Sequence, residues 1–340
     1  MPSVLLTGAN AFLAAHIINS LIKANYHITG TVRHAAAGDG IFTRHPEWKD
    51  HLDIVVVEDI SDQSRWNSIF KETSFDHVVH VAAPLLDNPD NTDYDRDFLK
   101  PSVEGNVALL RSAETHAPAL KSIVFTGSIN ACTTGSPEEL SKGPLTSSTW
   151  LPITQDQARE QNNAYISYCS GKKEGELAIW DFIKTNSPKF SVTVFLPALI
   201  FGPPIEPLKG GVKGLHFSTG LIYNLFNGTN ATVPPTAFPS YIDARDLADA
   251  HVKALTEPKV ANKRLTIGGR PVTFTAIAHV LAKIPELSGR VSTDSGEDLK
   301  VTLANIDAEE GNTSLSMTFR TFEETITDTA KEILELEKAS

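Results

Sequence analysis

The stretch that decides the fold is residues 4–15, VLLTGANAFLAA, which lies close to the start of the chain. Its first three residues predict a buried strand, and apolar residues then recur at the three- and four-residue spacing of a helix. A turn of small residues between the two lets the backbone approach a pyrophosphate, whose charge the helix N-terminus favours. Of a three-glycine turn only Gly8 is present, because Ala11 and Ala14 occupy the other two positions. An ordinary strand-to-helix turn is therefore the alternative interpretation.

The first 200 residues alternate short apolar runs with longer amphipathic stretches, which is the pattern of β-α units that build a parallel sheet. Further strands are predicted over 27–32, 53–57, 77–81, 122–125 and 192–196. Helices are predicted over 12–24, 64–72, 103–115 and 163–184. We therefore predict an α/β fold, namely a Rossmann-type doubly wound parallel sheet with a smaller C-terminal α/β substrate lobe.

The second part of the chain is less regular. Residues 202–239 are rich in Gly, Pro and Asn, the composition of irregular loops, and helical patterning returns over 244–255, 274–284 and 319–336. The predicted domains are a Rossmann domain over 1–200 and a mainly substrate-binding lobe over 201–340. Residues around 240–256 are expected to return to the first domain.

Composition and charge exclude several classes of protein. Apolar residues make up 41% of the chain and charged residues 21%, as in folded domains and unlike disordered chains. The net charge of −11 disfavours binding to nucleic acid and to anionic membrane surfaces. No apolar run reaches the roughly 20 residues that span a bilayer. We therefore expect neither a nucleic-acid nor a membrane partner.

The two cysteines, Cys132 and Cys169, are too few for a disulfide framework or a cysteine-based zinc site. We expect no metal site. The first residues lack the basic and long apolar segments of a secretory signal, so a reducing, cytoplasmic location is expected. The protein is expected to be a monomer or a homodimer.

The end of the second strand indicates which dinucleotide binds. An Asp or Glu there would accept from a ribose 2′-hydroxyl, but no acid occurs between residues 28 and 38. Arg33 stands at this position instead, and its planar guanidinium suits a 2′-phosphate. NADPH/NADP⁺ is therefore favoured over NADH, with an ordinary exposed arginine as the alternative interpretation.

Residues that follow the third and fourth strands extend the predicted cofactor site, because ligands bind at the carboxyl ends of parallel strands. Asp59 could accept from the adenine amino group, and Ile60 could cover the adenine ring. Ala82 and Ala83 follow the fourth strand. An Asp after a strand is more often a turn or helix cap, which is the alternative for Asp59.

Tyr168 and Lys172 are four residues apart, so in a helix their side chains project from the same face. We expect the ammonium to lower the pKa of the Tyr168 phenol for proton exchange with a carbonyl or alcohol. Ser128, at the end of the fifth strand, could donate a hydrogen bond to the substrate oxygen. Tyr165 lacks such a lysine, since Cys169 lies four residues after it. A chance Tyr-Lys pair and a turn-capping serine are the alternatives, but chance explains the combination poorly.

The chain resembles the extended short-chain dehydrogenase/reductase superfamily, and within it the fungal aldehyde and ketone reductases similar to yeast methylglyoxal reductase. Plant dihydroflavonol and cinnamoyl-CoA reductases are more distant. The resemblance covers nearly the whole chain and runs through residues 7–10, 32–33, 59–61, 101–105, 126–128, 168–173, 197–203 and 241–246.

This resemblance implies an NADPH-dependent oxidoreductase in which Ser128, Tyr168 and Lys172 form a catalytic triad. Tyr168 would donate a proton as hydride arrives from the nicotinamide, while Lys172 would hold the ribose and tune the phenol. The expected substrate is a moderately apolar ketone or aldehyde, a class that includes intermediates of fungal secondary metabolism. Residues 243–246 are implied to be a structural turn and helix start.

The resemblance and the strand ends together give the expected contacts. The expected cofactor-binding residues are Gly8, Asn10, Ala11, Phe12, Leu13, Arg33, Asp59, Ile60, Ala82, Ala83, Pro197, Ala198 and Ile200. The expected substrate-binding residues are Leu85, Asn130 and Phe201.

Two departures from the family pattern matter. The methyl of Ala11 is expected to weaken cofactor affinity modestly, and Gly127 and Ile129 replace a common Ser and Tyr, which makes the pocket apolar.

Two other functions remain open. A nucleotide-sugar epimerase or dehydratase would use the same Tyr and Lys, but such enzymes of the superfamily often carry Arg-Pro where this chain has Leu196 and Pro197. A catalytically silent NADP-binding regulatory protein would keep the fold without the chemistry. Proteins of that kind typically lose the Tyr or the Lys, and this chain keeps both.

Overall fold

The computed structural model describes residues 1–84 and 93–339, and Leu85, a predicted substrate contact, lies outside these residues. The strands of the described part are β1 (Ser3–Thr7), β2 (His27–Val32), β3 (Leu52–Val56), β4 (His77–His80), β5 (Ser122–Thr126), β6 (Ser191–Leu196), β7 (Leu199–Phe201), β8 (Ser240–Asp243), β9 (Lys263–Thr266) and β10 (Arg270–Pro271).

The helices of the described part are α1 (Phe12–Lys23), α2 (Ala35–Arg44), α3 (Gln63–Glu72), α4 (Lys100–His116), α5 (Pro137–Leu140), α6 (Gln155–Gln161), α7 (Ala164–Asn186), α8 (Phe217–Asn224), α9 (Ala244–Ala254), α10 (Phe274–Leu281), α11 (Glu309–Ser314) and α12 (Phe322–Lys338). A π-helical turn, Tyr94–Leu99, leads into α4. Within residues 1–84 and 93–339, no helix is long and apolar enough to cross a bilayer.

Seven parallel strands form one sheet in the order β3-β2-β1-β4-β5-β6-β9. The central strand β1 pairs with β2 and β4, so that Leu5 lies between Thr29 and Val78. The chain runs from β1 outward to β3 and then returns to β4 on the other side of β1. The reversal leaves a crevice at the carboxyl ends of β1 and β4. The predicted doubly wound parallel sheet is confirmed.

Helices cover both faces of this sheet, because its strands bury side chains on both sides. On one face α1 packs against α9, and Ile17 and Leu247 share a core with Leu6. On the other face α3 packs on α4 and α4 packs on α7, with Leu109 and Leu5 in a second core. All five side chains are fully buried, and each burial contributes roughly 1.5–3 kcal/mol. These two cores hold the carboxyl edge of the sheet in place.

A smaller lobe contains the second sheet, with strand order β10-β8-β7, and helices α8, α10 and α12 around a separate core. Asp243, the last residue of β8, caps α9 by accepting from the Arg245 N–H at 2.8 Å. Its carboxylate also pairs with the Arg245 guanidinium at 2.7 Å. Residues 243–246 are thus a structural turn and helix start, as the resemblance implied.

The structure differs from the sequence predictions in several elements, of which the following three are the most informative. Helix α2 is not predicted, because its sequence AAAGDGIFTR buries only Gly38 and Ile41 and shows no apolar stripe. Helix α8 lies within the segment predicted to be loops, where Gly220 and Thr219 weaken the helical signal. The return of the chain to the main sheet extends beyond residue 256 to β9, which pairs with β6.

Candidate functional site

The candidate site lies at the carboxyl ends of β1 and β4, where the order of the strands reverses. In open α/β sheets, ligands bind in the crevice at such a switch point. The turn after β1, the segments after β4, β5 and β6, and one face of α7 provide the side chains described below.

The turn after β1 requires a glycine and leaves the start of α1 available to an anion. Gly8 has a φ of +69°, and a Cβ added to it would lie 3.2 Å from the Ala82 Cα. The N-cap residue Ala11 makes no side-chain hydrogen bond to the helix, and the first turn of α1 holds no acidic residue. The N–H groups at this helix start therefore favour a phosphate. The predicted pyrophosphate contacts, residues 8 and 10–13, all lie in this segment.

Thr7 is a site residue that the sequence patterns do not single out. Its side chain is fully buried, and its Oγ1 accepts from the N–H groups of Val81 and Ala82, each at 3.0 Å. The same oxygen lies 3.0 Å from Nδ1 of His80. These bonds hold the segment after β4 against the turn after β1, which places Ala82 and Ala83 at the crevice. The sequence does contain a signal for this role, because Thr7 is a polar residue at the end of an otherwise apolar strand.

Arg33 and Asp59, two predicted contacts at the adenosine end, differ in whether their side chains already make hydrogen bonds within the protein. Arg33 lies exposed after β2, and no hydrogen bond or ion pair in the described part of the chain uses its guanidinium. The Asp59 carboxylate accepts from the hydroxyl and the N–H of Ser61 at 2.6 and 2.8 Å, which lowers the pKa of Asp59. Ile60 packs against Gly105 of α4. Arg33 is thus available to a phosphate, whereas Asp59 also stabilises its own turn.

Replacing Arg33 with Ala is expected to raise the KM for NADPH about 10- to 100-fold, since a hydrogen bond to a charged group contributes about 1.5–3 kcal/mol. The KM for NADH should stay within about twofold, because NADH carries no 2′-phosphate. Steady-state kinetics with both cofactors measures the change. Arg33→Lys is the matched control, which keeps the charge without the planar fork and should show an intermediate loss. Equal losses with both cofactors would assign Arg33 a structural role instead.

Ser128 is positioned between the ends of β5 and β6. The Gly127 N–H donates to the Phe195 carbonyl at 2.8 Å, and the Ile129 N–H donates to the Pro197 carbonyl at 2.9 Å. A Cβ added to Gly127 would lie 2.8 Å from the same Phe195 oxygen, which explains the glycine before Ser128. The buried Ser128 therefore presents its hydroxyl from a rigid edge of the sheet.

Tyr168 and Lys172 lie on α7, which begins after Asn163 caps it by accepting from the Ile166 N–H at 3.1 Å. The Ser128 hydroxyl lies close enough to the Tyr168 phenol to lower its pKa. The Lys172 Nζ lies over the Tyr168 ring, 5.7 Å from its centre. The structure thus brings together the three side chains that the sequence predicts to act as a unit.

Burial dominates the protonation of these groups. It raises the pKa of Tyr168 to about 12, and the hydrogen bond with Ser128 offsets this only in part. It lowers the pKa of Lys172 to about 8. The expected lowering of the Tyr168 pKa by Lys172 is therefore not found, because loss of hydration disfavours the phenolate more strongly. At pH 7 the phenol is neutral and the lysine is mostly an ammonium ion.

The neighbouring Tyr165 is already paired. Its phenol donates to the Thr134 carbonyl at 2.7 Å and accepts from Nδ2 of Asn130 at 2.8 Å. Burial raises the pKa of this phenol above its ordinary value. Asn130, a predicted substrate contact, is half-buried and lies beside Ser128. Tyr168 is thus the better placed of the two tyrosines for proton transfer.

The segment after β6 lies beside the loop that carries the serine. Pro197 is buried, and Ala198 and Ile200 are half-buried, which is compatible with their predicted place along the nicotinamide. Phe201 is different, because its side chain has no exposed surface and stacks on Tyr241 in the core of the smaller lobe, with ring centres 5.8 Å apart. This position gives no support to the predicted contact of Phe201 with the substrate.

Among the residues that the structure describes, no group of three or more His, Cys, Asp and Glu side chains could hold a metal ion. Cys132 and Cys169 are buried free thiols, and burial raises the pKa of each.

Comparisons with known proteins agree with this geometry. The chain is 30% identical over 347 residues to the NADPH-dependent methylglyoxal reductase of Saccharomyces cerevisiae, covering 98% of this chain and 99% of that protein. It is 31% identical over 340 residues to a ketoreductase of Aspergillus niger, covering 98% of this chain and 97% of that protein.

Solved structures give the same result. Yeast methylglyoxal/isovaleraldehyde reductase complexed with NADPH matches with a TM-score of 0.86 and 27% identity, over 99% of this chain and 100% of that one. Vestitone reductase from alfalfa, at 20% identity and a TM-score of 0.77, shares the fold over 98% of this chain and 99% of its own. A sequence model of the NAD dependent epimerase/dehydratase family matches residues 4–268. The chain therefore belongs to the NAD dependent epimerase/dehydratase family.

Proposed function

We propose that this protein is an NADPH-dependent carbonyl reductase, which converts a moderately apolar ketone or aldehyde to the alcohol with Tyr168 as proton donor. The observation that carries the proposal is the adjacency of Ser128, Tyr168 and Lys172 at the carboxyl edge of the sheet. A hydroxyl, a neutral phenol and an ammonium in one crevice suit proton transfer to a carbonyl oxygen. The relatives support this reaction class, since one is a methylglyoxal reductase and another a ketoreductase.

The residues at the crevice fit a dinucleotide that carries a 2′-phosphate. Gly8 leaves the backbone open where a Cβ would crowd Ala82, and the start of α1 offers N–H groups to the pyrophosphate. The exposed Arg33 would pair with the 2′-phosphate. When bound, NADPH supplies the hydride that reduces the carbonyl carbon.

Each triad residue has a separate task in this proposal. With a pKa of about 12, Tyr168 holds its proton on Oη at neutral pH and gives it to the carbonyl oxygen as the carbon gains hydride. The Ser128 hydroxyl donates a hydrogen bond to the same oxygen and stabilises the charge that develops there. The Lys172 ammonium stabilises the phenolate that remains, which solvent then reprotonates.

Two alternatives share the fold but differ in ligand and turnover. UDP-glucose 4-epimerase from Thermotoga maritima, at 17% identity and a TM-score of 0.70, has the same fold, and that likeness alone carries no activity. A silent NADP-binding regulator would bind the cofactor without turnover. The retained Ser128, Tyr168 and Lys172 favour an enzyme over a regulator.

Loss of NADPH absorbance with a panel of aryl and alkyl ketones and aldehydes tests the proposal. We expect turnover with several apolar carbonyls and no tight binding of UDP-glucose in calorimetry. A matched panel of polar sugars serves as the control and should react poorly, because the pocket is expected to be apolar. Firm NADPH binding without turnover of any carbonyl would favour the regulator, and tight UDP-sugar binding would favour the epimerase.

We also propose a cytosolic location and a substrate from fungal secondary metabolism. The ketoreductase relative from Aspergillus niger supports a ketone as the substrate, and the free, buried cysteines are compatible with a reducing compartment. Action as a monomer or a homodimer stays a prediction, which light scattering of the purified protein would resolve.

A further inference from the structure

We infer that Asn130 and Tyr165 are a pair of positioning residues, which together fix the direction in which the Ser128 hydroxyl points its proton. The inference rests on the proposed carbonyl reduction, because it assigns a role within that reaction. It is carried by a continuous set of hydrogen bonds that runs from Tyr165 through Asn130 to Ser128.

The first step concerns the orientation of the Asn130 amide. Its Nδ2 donates to the Thr133 carbonyl at 3.2 Å and to the Tyr165 hydroxyl at 2.8 Å. A flipped amide would place its oxygen against the Thr133 carbonyl, and two acceptors cannot bond each other. The network therefore fixes the amide with its Oδ1 towards Ser128.

The second step concerns Tyr165, which provides one of the two acceptors for that amide. Its own proton goes to the Thr134 carbonyl at 2.7 Å, so its oxygen faces Asn130 only as an acceptor. Tyr165 thus serves as an anchor for Asn130, although it lies on the same helix as Tyr168.

The third step counts the bonds of the Ser128 hydroxyl, which has one proton and two lone pairs. Its oxygen accepts from the Asn130 N–H at 3.1 Å. Its proton goes to Oδ1 of Asn130 at 3.3 Å. With that proton engaged, the direction of the Ser128 hydroxyl is set by Asn130.

The long bond from Ser128 to Asn130 is the point at which the arrangement can change. Bonds between a hydroxyl and an oxygen acceptor are usually about 2.7–2.8 Å long, so a bond of 3.3 Å is weak. A substrate carbonyl oxygen can therefore replace Asn130 as the acceptor of the Ser128 proton. The pair thus holds that proton ready for the substrate oxygen.

The test measures kcat for ketone reduction in Asn130→Ala and Tyr165→Phe, each made in the native chain and in a Ser128→Ala chain. In the native chain each change should lower kcat about tenfold, the effect of losing about one hydrogen bond. In the Ser128→Ala chain neither should lower kcat further, because the group that they position is absent. The NADPH dissociation constant should not change in any variant.

Tyr94→Phe is the matched control, since it removes a buried tyrosine hydroxyl that bonds Ser170 of α7 at 2.9 Å, outside the triad. It should leave kcat unchanged, and thermal unfolding shows whether each variant is folded. If Asn130→Ala and Tyr165→Phe cause the same fall in both backgrounds, they act independently of Ser128 and the inference is overturned. A parent protein that reduces no carbonyl overturns the proposed function together with this inference.

Discussion

Replacing Tyr168 with Phe is expected to lower kcat for NADPH-dependent carbonyl reduction by about 10²- to 10⁴-fold, the usual contribution of a positioned proton donor. The change removes one oxygen and keeps the ring beneath the Lys172 ammonium. NADPH affinity should change little, because the predicted cofactor contacts lie elsewhere. Steady-state kinetics and a fluorescence titration with NADPH measure the two quantities.

The control for this variant is Tyr94→Phe, which makes the same chemical change on a buried tyrosine whose hydroxyl bonds Ser170 of α7. It is expected to retain full kcat. A Tyr168→Phe protein that reduces carbonyls as fast as the parent would show that another group supplies the proton. Tyr165 would then be the next candidate to replace.

Replacing Arg264 with Met is expected to destabilise the protein by about 3–5 kcal/mol, because it leaves the Glu176 carboxylate buried without its partner. The Arg264 guanidinium donates to Glu176 Oε1 at 2.8 Å and to the carbonyls of Ser147 and Thr149 at 2.9 and 2.8 Å. Both charged side chains are less than a tenth exposed. Glu176 lies on α7 one turn after Lys172, so this ion pair also ties the triad helix to β9. Equilibrium urea unfolding measures the loss.

The loss should also depend on pH. Burial raises the pKa of Glu176 above its ordinary value even beside Arg264, and removing the guanidinium raises it further. An acid whose pKa is raised by folding binds more protons when folded, so the stability deficit should shrink as the pH falls. Lys263→Met is the control, because its exposed pair with Glu310 at 2.7 Å should contribute less than about 1 kcal/mol. Equal effects of the two changes would mean that the buried pair is not the cause.

Much of the main sheet could be predicted because its signals are local. Strands that are buried on both faces read as apolar runs, and β1 with the turn at Gly8 is the clearest case. β9 could not be predicted in this way, because it begins with Lys263 and Arg264. A charged residue is tolerated at position 264 of this strand because Arg264 pairs with Glu176, which is 88 residues away in the chain. No local pattern reveals such a partner.

The candidate site likewise has features that the sequence alone predicts and features that depend on the folded structure. The spacing of Tyr168 and Lys172 is a property of one helix, so the sequence alone predicts that they share a face. The bonds of Thr7 to the segment after β4, and of Asn130 to Tyr165, depend on how separate elements pack. The raised pKa of Tyr168 has the same origin, because burial is a property of the folded chain. The apolar side chain of Phe201 suits both a pocket and a core, so the sequence alone does not decide between them.

The most direct test of the central claim is the reduction of a ketone with NADPH that carries deuterium in the transferred position of its nicotinamide. We predict one deuterium on the carbinol carbon of the product for each NADPH oxidised, since the hydride passes directly from cofactor to carbonyl while the hydroxyl proton comes from Tyr168. An alcohol that carries only solvent hydrogen at that carbon, or NADPH oxidation without any alcohol, would contradict the account.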